Sequence, residues 1–262
     1  MKRLGIIRQG YSQPLFHILR NRILDHPDPG FPFTLIEDST AILAQKLRQK
    51  ELDAAFLSPI DYALNHARYS ILPEVGLISA GESRAVQLLF KEHLNKIQTI
   101  AINPHVSASD VVLANIVLAE KYELAPQILP VANVTENILL KIDAVLLTGD
   151  DVFTLHDAHR LDLVEEWSDI TELPYVHGAW ITSPDALSDS ETRGLIAICE
   201  QGVSEFEFTG PQQKWYEEHF GYRLHEDALS ALGEFFQMAF YHGIMKEVVT
   251  PRFLQVDKIS RN

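Results

Sequence analysis

Asp143-Ala-Val-Leu-Leu-Thr-Gly-Asp-Asp151 is a continuous apolar run of strand length that stops at a glycine and two carboxylates. A run without alternation suits a strand covered on both faces, and the abrupt polar stop marks a turn at its end. Shortly after it, Asp162-Leu-Val-Glu-Glu-Trp-Ser-Asp-Ile-Thr-Glu-Leu-Pro-Tyr-Val-His-Gly-Ala-Trp180 reads as a short strand, an acidic amphipathic helix, a proline-broken turn and a second buried strand. Within under forty residues the chain leaves one sheet and has a route, Tyr175 to Thr182, back into another.

Working outward from there, the N-terminal third repeats a strand-helix rhythm. Leu4-Gly-Ile-Ile begins a buried strand ending at Arg8-Gln9-Gly10, with Ser12 placed to cap a helix that has Pro14 in its first turn. Phe33 to Ile36 makes a second strand, Ser39 or Thr40 caps a second helix, and Leu52 to Leu57 makes a third strand ending at Ser58-Pro59. A βαβαβ order predicts a mostly parallel sheet. Arg84-Ala-Val-Gln-Leu-Leu-Phe90 is apolar enough for a long strand and is expected to carry the chain outward to a second sheet-helix unit. That unit starts with Thr99-Ile-Ala-Ile, followed by a helix from Asp110 to about Tyr122 capped by Ser109, then Gln127-Ile-Leu-Pro, a helix from Thr135 and the Asp143 strand. After the return strand, Ser188-Asp-Ser-Glu191 is a capping box, Pro211 starts a further helix, and Asp227 opens an amphipathic helix that stops at Gly243. The expected architecture is α/β with two hinged lobes, residues 1–88 with 178–262 forming one and 89–177 the other, and a ligand cleft between them.

Composition bounds the function. The chain has 262 residues, 46% of them hydrophobic, enough for two modest lobes. Its formal charge of -14 argues against binding to a nucleic-acid backbone or an anionic membrane, but leaves room for a small anion held by a local arginine. The lone cysteine, Cys199, lies among Leu195, Ile196 and Ile198 and reads as a buried thiol, which together with a polar start to the chain points to the cytoplasm.

No Walker loop, dinucleotide fingerprint, His-Glu-x-x-His or Cys-x-x-Cys occurs. His156 and His159, three apart, suit either a cation or a solvated loop, and Asp150 and Asp151 suit either acid/base work or helix capping. Glu165, Glu166 and Asp169 read as a solvated helix face, and Trp167 and Trp180 as core. Arg8 and Arg84 each end a predicted buried strand, where a guanidinium pairs with a carboxylate or faces a cleft. The stretch Asn103-Pro-His-Val-Ser-Ala-Ser109 before a helix offers free amides and hydroxyls for a carboxylate, with Asp110 on the same turn opposing it.

The segment Asp143 to Asp151, together with Asp162-Leu-x-x-x-Trp167-x-x-x-Thr171-x-Leu-Pro-Tyr-Val176-x-x-x-Trp180, resembles the chorismate dehydratase family of the futalosine route to menaquinone. The likeness extends to Gly5, Pro14-Leu15, Leu52-Asp53, Leu72-Pro73 and Ser107-Ala-Ser109. It implies a periplasmic-binding-protein-like (type II) fold with two strand crossovers; a monomer or homodimer is expected. It also implies loss of water from chorismate to give a carboxyvinyloxy-benzoate, with no metal or organic cofactor. In family members an Asn three residues ahead of the Pro-Leu pair and a Ser after a Gly-Pro-Val-x segment are associated with the reacting face. Here those positions are Tyr11 and Ala85. Ser12, Ser58, Ser107, Ser109 and Asp150 remain as expected substrate contacts, with Arg8 and Arg84 as additional anion contacts. The alternative is an altered relative that binds a small carboxylate or aromatic acid without turning it over.

Overall fold

A computed structural model describes residues 1–135, 137–154 and 158–255. The first third forms β1 (Lys2–Ile6), α1 (Gln13–Arg20), β2 (Phe33–Glu37), α2 (Thr40–Arg48), β3 (Ala54–Leu57), α3 (Pro59–Ala63) and β4 (Ser70–Ser79). The middle forms β5 (Val86–Phe90), β6 (Thr99–Ile102), α4 (Ala108–Tyr122), β7 (Gln127–Pro130), β8 (Ala144–Thr148), β9 (His159–Asp162) and α5 (Leu163–Thr171). The last part forms β10 (Tyr175–Thr182), α6 (Asp189–Glu205), α7 (Gly210–His219), β11 (Phe220–Arg223) and α8 (Glu226–Tyr241).

These strands make two sheets, ordered β11-β4-β10-β3-β1-β2 and β7-β6-β8-β5-β9. The chain therefore passes between sheets twice. The buried strands β3, β5, β8 and β10 carry no exposed residue, as continuous apolar runs require. Both sheets are mixed rather than mostly parallel. β1 pairs in parallel with β2 and β3, and β6 with β7 and β8, as the strand-helix rhythm predicts. The remaining pairings, β10 with β3 and β4, β11 with β4, and β5 with β8 and β9, are antiparallel.

The outgoing passage is shorter than the sequence suggests. Val86 to Phe90 pairs only within the second sheet, so residues 80–85 carry the crossing. Tyr175 to Thr182 likewise lies wholly in the first sheet, and the return occurs over residues 172–174. One buried carboxylate fixes the outgoing crossing. Asp162 accepts hydrogen bonds from Ser83 N at 3.1 Å, Ser83 Oγ at 3.3 Å and Arg84 N at 2.6 Å. It also caps α5 through Val164 N at 3.0 Å and Glu165 N at 3.2 Å. Arg84 sits at a φ of 55°, a left-handed conformation that a non-glycine residue keeps only when its surroundings hold it there.

Several local expectations change. Ser12 occupies the position before α1 without capping it, because its hydroxyl donates back to Gln9 O. Ser107, not Ser109, caps α4, accepting from Asp110 N at 3.1 Å. The helix expected from Thr135 is reduced, among the described residues, to a single turn over Ile138–Leu140. Glu166 is not on a solvated face: it is buried and takes the Tyr122 hydroxyl and the Lys121 ammonium, each at 2.7 Å. The capping box at Ser188 forms as expected, and Trp167, Trp180 and Cys199 lie fully buried in the core.

Because Asp162 serves both the crossing and the α5 cap, Asp162→Ala should leave several buried amides without acceptors. The predicted loss is about 3 kcal/mol or more, seen as a lower urea midpoint with unchanged slope. An unfolding free energy within about 0.5 kcal/mol of the parent would remove Asp162 from this role.

Candidate functional site

The parallel strands in each sheet end on the same side, and their carboxyl ends face one another. There the two sheets enclose a cavity of about 470 Å³, within the range of small-molecule sites. Ile7, Arg8, Gln9 and Tyr11 follow β1, Glu37, Asp38, Ser39 and Thr40 follow β2, and His177 comes from β10. From the second sheet, His105, Ser107 and Asp110 surround the start of α4, and Thr148, Asp150 and Asp151 follow β8. The amino ends of α2 and α4 both open here, so backbone amides and two helix dipoles supply positive potential without a cation.

Carboxylates nevertheless dominate the wall. Among the described residues, five acidic side chains line it against Arg8 alone among lysines and arginines. Arg8 pairs with Glu37 at 2.6 Å, and Arg20 approaches the same carboxylate at 3.1 Å. The cation expected to meet an anion is thus largely committed to Glu37.

Two carboxyl groups line the cavity together with Tyr11. Asp110 is buried, accepts from the Tyr175 hydroxyl at 3.1 Å, and is pushed up to about 6 by that burial. Asp150 stands at the mouth, where it receives Gly10 N at 3.2 Å, Gln212 Nε2 at 3.0 Å and the Tyr216 hydroxyl at 3.4 Å. Burial and the neighbouring Asp110 and Asp150 charges raise the Tyr11 phenol well above its ordinary value, so it stays neutral. Its ring stacks on Phe220 at 5.1 Å and 10° and lies 5.4 Å from the His177 ring. Burial pushes His177 down to about 3, which keeps the imidazole neutral too.

Of the residues proposed from sequence, the cavity gathers Arg8, Tyr11, Ser107 and Asp150. Ser12, Ser58, Arg84, Ala85 and Ser109 do not line it. Arg84 pairs with Glu82 at 2.9 Å and stacks on Trp215 at 3.6 Å, because its strand end lies at the crossing rather than in the cleft. Ser58 bonds Asp61 to cap α3, and Ser109 accepts from Ile60 N at 2.9 Å, joining α4 to α3. Ala85 is fully buried and its carbonyl takes Gly149 N at 2.8 Å. His156 lies outside the described residues, His159 is exposed on β9, and no metal-ligating cluster occurs among the described residues. Sequence reasoning missed His177, Thr148 and the loop after β2. The one available signal was a histidine inside the apolar run Tyr-Val-His-Gly-Ala-Trp180.

Two mixed sheets with a cavity between the carboxyl ends of their strands define a periplasmic-binding-protein-like chain. It belongs to the menaquinone biosynthesis family, whose model matches residues 2–207. No curated protein matches by sequence. Among solved structures it is similar to protein AF1704 from Archaeoglobus fulgidus, at 18% identity and a TM-score of 0.68, covering 93% of this chain and 98% of that one. It is also similar to the Candida albicans CA3427 gene product, described as having the generic periplasmic binding protein fold, at 13% identity and a TM-score of 0.59 over 98% of each chain. The periplasmic aliphatic sulphonate binding protein SsuA of Escherichia coli matches at 13% identity and a TM-score of 0.57, over 100% of this chain and 96% of that one. These likenesses establish the fold. No helix among the described residues is long and apolar enough to cross a membrane.

The folded chain holds the Asp110 proton to about 6, whereas the unfolded chain releases it near 3.8. Stability from this group is therefore complete below about pH 4 and lost as pH rises towards about 6. Asp110→Asn should remove that loss, raising the melting temperature at about pH 8 more than at about pH 4, by up to about 3 kcal/mol in stability. An equal shift at both pH values would contradict the assignment.

Proposed function

We propose that the chain is a chorismate dehydratase-like lyase of menaquinone biosynthesis, taking chorismate into the cleft and releasing 3-[(1-carboxyvinyl)oxy]benzoate. The observation that carries this is that neutral Tyr11 shares one cavity with the Asp110 and Asp150 carboxyls. Family membership supplies the pathway.

In this account Asp150 takes the proton from the ring carbon that bears the enol ether, the bond from the neighbouring carbon to its hydroxyl breaks, and Asp110 protonates the departing oxygen. One C–H and one C–O bond break, the new double bond completes the aromatic ring, and water leaves with no change of oxidation state. Asp150 then returns its proton to solvent and Asp110 regains one. Aromatisation supplies the driving force, so positioning and one proton acceptor are sufficient machinery. Tyr11 faces the ring, and the amino ends of α2 and α4 with Ser107 face the carboxylates. With the crossings at residues 80–85 and 172–174, the lobe boundaries expected at 88 and 178 move: residues up to 79 with those from 175 onward act as one lobe and 86–171 as the other, closing on the substrate. We place the protein in the cytoplasm, where its single buried Cys199 needs no partner.

The acidic wall favours a second reading, binding of a small organic acid without turnover. As a likeness of fold, the sulphonate-binding neighbour is compatible with such a binder.

Incubation of the protein with chorismate, followed by chromatography of the product, separates the two. The dehydratase reading predicts turnover that falls about 100-fold or more in Asp150→Asn. Thermal stabilisation by chorismate with no product would select the binding reading, and neither effect would refute both.

A further inference from the structure

His177 is 8% exposed, lines the cavity, and has one hydrogen-bond partner among the described residues: its Nε2 meets Ser79 Oγ at 2.7 Å. Ser79 is 2% exposed, and its hydroxyl has no other partner among the described residues. That pairing decides where the imidazole proton lies. If Nε2 carried the proton and donated it to Oγ, the serine hydrogen would be a buried donor with no acceptor, which costs more than the bond gains. If Ser79 donates to Nε2, both groups are satisfied and the proton of the neutral ring resides on Nδ1. Nδ1 has no protein acceptor among the described residues. The phenol of Tyr11, 5% exposed and beside His177 on the same wall, likewise donates to no protein group among the described residues.

We propose that Tyr11 Oη–H and His177 Nδ1–H form a paired neutral donor site for a carboxylate or other ligand oxygen, and that Ser79 is the positioning residue that keeps the imidazole in its Nδ1-protonated tautomer. This rests on the proposal that the cleft binds an organic acid, and it adds two uncharged donors to a wall that, among the described residues, carries five acidic side chains and one arginine. Both donors sit on the first sheet, Tyr11 after β1 and His177 on β10, so they are in place before the second lobe closes. Packing fixes the imidazole: the Phe220 ring stacks on it at 5.3 Å and 30°, and Tyr175 meets it edge to face at 4.9 Å. A neutral donor pair discriminates by geometry rather than by charge, selecting a ligand oxygen that accepts two hydrogen bonds at once.

The test is two-bond proton–nitrogen correlation spectroscopy on protein labelled with ¹⁵N-histidine. The resonances of His177, one of eleven histidines, are assigned by their loss in His177→Gln. The proposal predicts the Nδ1–H tautomer in the parent protein and a swing towards Nε2–H in Ser79→Ala. It also predicts benzoate affinity weakened roughly tenfold in Ser79→Ala and in Tyr11→Phe, with Ser79→Thr restoring both tautomer and affinity. An Nε2–H tautomer in the parent protein overturns it. Benzoate affinity unchanged by Ser79→Ala, or no saturable benzoate binding to the parent, overturns it as well. Chorismate left unconverted by a protein that shows the Nδ1–H tautomer and the Ser79-dependent benzoate affinity would defeat the dehydratase proposal alone.

Discussion

The carboxylate of Asp162 is the point on which the arrangement of the two sheets depends. Its oxygens gather Ser83 and Arg84 from the outgoing passage and the first turn of α5, which leads to the return. Burial raises its proton affinity even against these bonds, so its role is geometric more than energetic: removing it would leave buried amides unpaired. Beyond it, Trp215 donates to Ser83 O at 3.2 Å and lies under Arg84, with His219 stacked on the indole at 3.7 Å. Helix α7 thus braces the crossing from outside while Asp162 holds it from inside. With the crossing fixed, the strand ends of both sheets meet across one cavity.

The same helix reaches the mouth of that cavity. Gln212 and Tyr216 of α7 hold Asp150, and Gly10 donates its amide to the same carboxylate. A side chain at Gly10 would bring its Cβ to 2.6 Å from Asp150 Oδ1, and Gly149 sits at a φ of 61° against Gln9. Glycine is needed at both places, once for close approach and once for the turn. The contacts of Gly10 and Gln212 to Asp150 are exposed, whereas Tyr175 with Asp110 and Ile60 with Ser109 join the two units through buried hydrogen bonds.

Much of the scaffold was legible in the sequence because local rules and tertiary packing agree there. The apolar run at Ala144 to Thr148, the Ser188 box and the burial of Trp167 and Trp180 all followed from pattern. The site was less legible. Ser107 and Ser109 both suit a cap, and the choice between them depends on Ile60 claiming Ser109, a contact 49 residues away in sequence. Arg84 ends an apolar run as a cleft arginine would, yet a left-handed turn carries it to Trp215. Glu166 follows the spacing of a solvated face, but Tyr122 and Lys121 of α4 cover it. His177 could not be recognised because period-two alternation assigns a face and says nothing about which end of a strand borders a cavity.

Hydrogen exchange of the backbone, measured with and without chorismate, tests most directly whether an organic acid occupies the space between the strand ends. The account predicts slower exchange confined to residues 8–12, 38–41, 105–110 and 148–151, with α6 and α8 unchanged. Protection absent from those four segments, or centred on α6 and α8, would contradict it.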